Sequence, residues 1–216
     1  MRPDLLEQMI KDEIAKGNKP FYLNSVAGST VMGSFDDMHA LADICEKYNM
    51  WFNIDGCWGG FLSWADGQRE KGGLFYGSER ADSIEINAHK GFSVPNQANL
   101  LLINNKGNIM KDAFRSSAEY LFHDTEYTKF DLADKTLSCG RKPDAFKLWL
   151  SLQRYGIQGF SDMANQALEK ARYLTAQVKN RPGAFTMMNE PMGANVCFAY
   201  TPPAFRGEGV EYTFDQ

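Results

Sequence analysis

The run Trp51-Phe52-Asn53-Ile54-Asp55-Gly56-Cys57-Trp58-Gly59-Gly60 decides the fold. Four mainly apolar residues, Trp51 to Ile54, form a strand, and the carboxylate that ends it opens onto a stretch of small groups. Upstream, Met38, Leu41, Ala42, Cys45 and Tyr48 share one helical face, and Pro20 to Ser25 reads as a short buried strand followed by an Ala27-Gly28-Ser29-Thr30 loop. Strand, helix and strand so closely spaced make a βαβ unit with parallel strands and a right-handed crossover. Downstream, Ser83 to Asn87 and Leu100 to Asn104 are third and fourth strand candidates. The fold class is α/β.

The rest of the chain extends this pattern. Leu5, Met9, Ile10 and Ile14 recur at helical spacing after Pro3, and Gly17 stops that helix. The polar stretch from His123 to Lys135 is a loop. A helix from Pro143 to Tyr155 carries Phe146, Trp149, Leu150 and Leu152. A longer one, Ser161 to Asn180, carries Ala164, Ala167, Leu168, Ala171, Leu174 and Val178 and ends before Arg181-Pro182-Gly183. Ala184 to Asn189 and Asn195 to Tyr200 then read as strands. The organisation expected is a large domain over 1–160, a connecting helix over 161–180 and the start of a smaller domain over 181–216. Two strands are too few to stand alone, so the chain reads as truncated.

Composition excludes several classes. With 216 residues, 44% hydrophobic and 23% charged, the chain is an ordinary globular one and not disordered. Its net charge of −4 comes without a basic stripe, which argues against nucleic acid as a partner. Apolar runs such as Leu100 to Ile103 fall far short of the roughly 20 residues that span a bilayer, so no membrane is implied. The first segment is too charged for a secretory signal, and a cytoplasmic location is expected. Cys45, Cys57, Cys139 and Cys197 form no CxxC pair, and only three histidines accompany them. Reduced thiols are expected, and no metal site.

The common fingerprints GxGxxG, GxxxxGK[ST], GxSxG and HExxH are absent. What remains is Asp55 at the end of one strand and Lys90, after Asn87-Ala88-His89, just past another. Ligands of open parallel sheets sit beyond the carboxyl ends of the strands. A lysine among small residues can form a Schiff base, and a carboxylate on a pyridinium nitrogen is the other half of a pyridoxal phosphate site. Taken singly, Asp55 also reads as a turn former and Lys90 as a solvated surface residue.

Five segments, Pro20–Asp37, Ala42–Gly60, Glu79–Lys90, Cys139–Phe160 and Ala194–Pro203, closely resemble, in order, stretches of the pyridoxal-phosphate-dependent group II amino-acid decarboxylases. The Asp55-to-Gly60 motif, the Cys139-Gly140-Arg141 segment and the Asn195-Val-Cys-Phe strand are most similar to the glutamate and cysteine-sulfinate branch. The resemblance implies the fold type I, aspartate-aminotransferase-like architecture, with residues 1–160 as the second half of the pyridoxal-phosphate-binding domain. It implies that Lys90 holds the cofactor as an internal aldimine and that Asp55 holds the ring nitrogen. By the same resemblance His89 and Asn87 lie beside the cofactor, Thr30 near its polar edge and Cys57 on a ring face. Tyr127 falls at the mobile-loop position that protonates the substrate carbon, with Phe130 near another family tyrosine.

Three positions depart from the family pattern: Ala88 replaces a proline, and Gly56 and Cys57 replace two alanines. The activity implied is decarboxylation of a small acidic α-amino acid (glutamate, cysteine sulfinate or aspartate) through a quinonoid, in a homodimer. An aminotransferase of the same fold, and a non-catalytic relative that associates with a full-length subunit, are the alternatives. Family members are longer, and their preceding half grips the cofactor phosphate. Alone, this chain is therefore expected to bind the cofactor poorly and to show no decarboxylation.

Overall fold

A four-stranded sheet of order β1 (Tyr22–Val26), β2 (Trp51–Gly56), β3 (Ser83–Asn87), β4 (Asn99–Ile103) carries the first half of the chain. The computed structural model describes residues 1–104, 109–114, 126–127, 135–136, 140 and 142–206. β1, β2 and β3 run parallel, as the βαβ reading requires, whereas β4 returns antiparallel to β3. The crossover from β1 to β2 is α2 (Met38–Tyr48), started by the Asp37 carboxylate accepting from the Ala40 N–H at 3.0 Å and ended by Asn49 in the left-handed conformation.

The pleat divides the sheet chemically. Leu23, Phe52, Ile54 and Ile86 are buried in one core with Met38, Leu41, Ala42 and Cys45 of α2. Each such large side chain contributes about 1.5–3 kcal/mol on leaving water. The other face is polar. Asn53 Nδ2 donates to Asn24 Oδ1 at 2.7 Å, Ser83 Oγ donates to Asn53 Oδ1, and Trp51 Nε1 donates to Ser83 Oγ at 2.9 Å. Asp55 and Glu85, two residues further along β2 and β3, continue that face.

One helix is covered less than its apolar spacing suggests. In α1 (Pro3–Ala15) only Ile10 is fully buried, at 4% exposure, while Leu5, Met9 and Ile14 are exposed, Met9 at 65%. The helix packs on α2, and Glu7 fixes it there by accepting from the Lys47 ammonium and, at 3.0 Å, from the Tyr48 hydroxyl. The two later helices are the two parts of α4 (Asp144–Lys179), separated by a kink at Gly156, whose φ of 67° is a conformation that glycine adopts freely. A short helix, α3 (Ile109–Phe114), was not expected. β5 (Phe185–Met187) and β6 (Phe198–Tyr200) pair antiparallel and are shorter than their apolar runs. Among the described residues no helix is long and apolar enough to cross a membrane. Cys45, Cys57 and Cys197 are free thiols, and Cys139 lies outside the described residues.

Candidate active site

Asp55 stands opposite Val26 of β1 and Glu85 of β3. Its Oδ1 accepts from the Cys57 N–H at 3.0 Å, a local turn that directs the chain into the 3₁₀ segment Gly59–Trp64. Gly59 must be glycine there, because a Cβ would lie 2.4 Å from the Ala27 carbonyl oxygen. Cys57 Sγ donates to Glu85 Oε2 at 3.6 Å, and ligand atoms of Asp55, Cys57 and Glu85 all lie within 4.8 Å of one another. Burial, then the hydrogen bond and charge of Asp55 and the charge of Glu85, push the Cys57 thiol up to about 12. Among the described residues neither carboxylate is in an ion pair. Two acids this close form an anionic seat whose natural complement is a cation.

Lys90 sits in a turn past the end of β3. Its N–H donates to the Asn87 carbonyl at 3.0 Å, and its own carbonyl accepts from the Ser93 N–H at 3.1 Å. The turn is held from below by Phe92, which is buried, stacks on Phe160 of α4 with centroids 4.4 Å apart, and meets Phe61 and Trp64 edge-on. Gly91 admits no side chain, since a Cβ would fall 2.0 Å from Phe61 Cγ. His89 Nδ1 lies 3.1 Å from both the amide nitrogen and the carbonyl oxygen of Ala98, and that carbonyl also takes the Ala88 N–H at 2.8 Å. Lys90 Nζ lies 5.8 Å from the centroid of the Trp58 ring. The loop after Asp55 and the turn carrying Lys90 thus meet through Trp58.

The other residues singled out in sequence fall around this junction or apart from it. Asn87 ends β3, half-buried, and Thr30 is exposed, its carbonyl accepting from Asn195 Nδ2 at 3.1 Å. Tyr127 is 68% exposed in a turn with Glu126, and Phe130 lies outside the described residues. Glu85 and Asn195 escaped the sequence reading. The alternation Ser83-Glu85-Asn87 against Ile84-Ile86 was the available signal for Glu85. Asn195, which accepts from Trp58 Nε1 across 137 residues of chain, had none.

Residues 1–201 match the model of the pyridoxal-dependent decarboxylase conserved domain. The chain belongs to that family. It is 36% identical to the acidic amino acid decarboxylase GADL1 of Homo sapiens over 98% of its own length and 41% of that relative's. It is 37% identical to the cysteine sulfinic acid decarboxylase of Mus musculus over 100% of its length and 43% of that relative's. The chain therefore spans about two-fifths of the length of these curated relatives. Among solved structures, mouse CSAD superposes with a TM-score of 0.86 at 36% identity, over 97% of this chain and 42% of that one. Oryza sativa TDC with PLP and tryptamine superposes with a TM-score of 0.83 at 22% identity, over 94% of this chain and 41% of that one, and shows the shared fold. The expected large-domain architecture of the pyridoxal-phosphate decarboxylases is thereby shown.

Proposed function

We propose that this chain carries the lysine and the ring-nitrogen carboxylate of a decarboxylase acting on a small acidic α-amino acid. The observation that carries the reading is Asp55 and Lys90 at the ends of adjacent parallel strands, joined by Trp58, in a chain of the pyridoxal-dependent decarboxylase family. The residues fit pyridoxal phosphate. Asp55 and Glu85 offer negative charge that no cationic side chain among the described residues pairs with, which suits a protonated ring nitrogen, and Lys90 presents a primary amine in a turn fixed on both sides. The bound cofactor would supply the electron sink for the pair released when the substrate carboxylate departs.

The chain's own residues then have distinct tasks. Asp55 would hold a proton on the ring nitrogen; Cys57 packs beside it, its thiol kept neutral by burial first and then by its two acidic neighbours. Lys90 Nζ would hold the cofactor, and its amine would carry a proton at the reacting carbon. Asn87 and His89 fix the turn, and Thr30 lies on the loop across from Trp58. Tyr127 serves as a second proton donor. The names of the relatives favour acidic substrates such as cysteine sulfinate, and a homodimer is proposed as the assembly.

An absorbance titration tests this reading. Excess pyridoxal phosphate should raise a visible band in the unaltered chain, abolished in Lys90→Ala and weakened and blue-shifted in Asp55→Asn. Identical spectra for all three would remove both residues from the site.

A further inference from the structure

The loop that bears Thr30 and the segment leading into β6 are stitched together over a long stretch. Asn189 Nδ2 donates to the Met32 carbonyl at 3.0 Å, Asn195 Nδ2 to the carbonyls of Thr30 and Val31 at 3.1 and 3.3 Å, and Cys197 Sγ to the Val31 carbonyl at 3.0 Å. Gly33 makes the approach possible, because a Cβ there would lie 2.6 Å from Asn195 Cβ. Both ends of the Asn195 amide are therefore used: the nitrogen is spent on the loop, and the oxygen accepts from the Trp58 indole N–H. The indole in turn lies under Lys90 Nζ.

We infer that Asn195 is a positioning residue for Lys90, acting through the Trp58 indole. The inference rests on the reading of Lys90 as the cofactor lysine. A lysine side chain has many rotamers, and among the described residues Lys90 makes no ion pair, so the ring face is what gives its ammonium a direction. A half-buried indole flanked by Gly56, Gly59 and Gly60 has freedom of its own, which the bond to Asn195 removes. The segment ahead of β6, remote in sequence from the lysine, thereby sets how often the amine points where a carbonyl carbon must meet it.

The test follows two signals in the whole chain. The first is hydrogen exchange of the Trp58 indole N–H by NMR, its resonance assigned by its absence from Trp58→Phe. The second is the fraction of chains carrying pyridoxal phosphate on the Lys90 peptide after incubation at a subsaturating concentration and borohydride reduction. Asn195→Leu should speed indole exchange by roughly tenfold and lower Lys90 labelling by roughly threefold. Asn195→Gln, which keeps both the acceptor and the donor of the amide, should lose less of both than Asn195→Leu. Trp58→Leu should lose labelling to the same extent, and Asn195→Leu combined with Trp58→Leu should lose no more. Unchanged indole exchange in Asn195→Leu, labelling equal to that of the unaltered chain, or additive losses in the double variant would each overturn the inference. Absence of label at Lys90 in the unaltered chain is a separate result: it overturns the reading of Lys90 itself, and the inference with it.

Discussion

At the scale of single residues, the site is organised by what surrounds Asp55 more than by Asp55 itself. Glu85 faces it in register, and Cys57 lies between the two carboxylates. The thiol is the reporter of that arrangement, because burial and the two acids hold it at about 12 and so keep it from forming the reactive thiolate. Glu85→Gln should therefore accelerate alkylation of Cys57 by iodoacetamide at alkaline pH by severalfold. Peptide mapping of the alkylated chain checks this; an unchanged rate would show that Glu85 does not act on the thiol. Sequence exposed Asp55 and Lys90 because each ends a legible strand. Glu85 lay inside a run read only as a strand candidate, although its alternation with Ile84 and Ile86 assigns it to the polar face.

At the scale of elements, the Lys90 turn depends on aromatic packing beneath it. Gly91→Ala would place a methyl group against the buried Phe61 ring, an overpacking that costs about 1–3 kcal/mol. Phe160→Ala would empty the stack under Phe92 and cost about 3–5 kcal/mol. Chemical denaturation should show both losses, and Gly91→Ala should also lower cofactor uptake; a Gly91→Ala chain as stable as the parent would contradict the packing described. The βαβ unit and both parts of α4 could be read from apolar spacing. The antiparallel direction of β4 could not, since a strand's apolar content carries no sense of direction. Nor could the exposed stripe of α1, because periodicity shows that a helix has an apolar face and not whether a neighbour covers it.

At the scale of the whole molecule, two properties follow from burial. Cys45 and Cys57 hold their protons to about 11 and about 12, against an ordinary thiol near 9, Cys45 through burial first and then the charges of Asp82 and Glu46. The folded chain thus binds more protons than the unfolded one between pH 9 and those values. The stability these thiols confer is complete below pH 9 and is lost as pH rises through 11 to 12, and Cys45→Ala should flatten that alkaline fall in melting temperature. Among the described residues, β1 pairs only with β2 and β4 only with β3, and Phe21, Tyr22, Leu101 and Leu102 are exposed along those two edges. Open apolar edges favour self-association, which Leu102→Lys should reduce in light scattering. The most direct test of the central claim is to incubate the chain with excess pyridoxal phosphate, reduce it with borohydride and map the modified peptide by mass spectrometry. The cofactor should appear on the peptide containing Lys90, with labelling reduced in Asp55→Asn; modification spread over other lysines with none at Lys90 would contradict the assignment of Lys90.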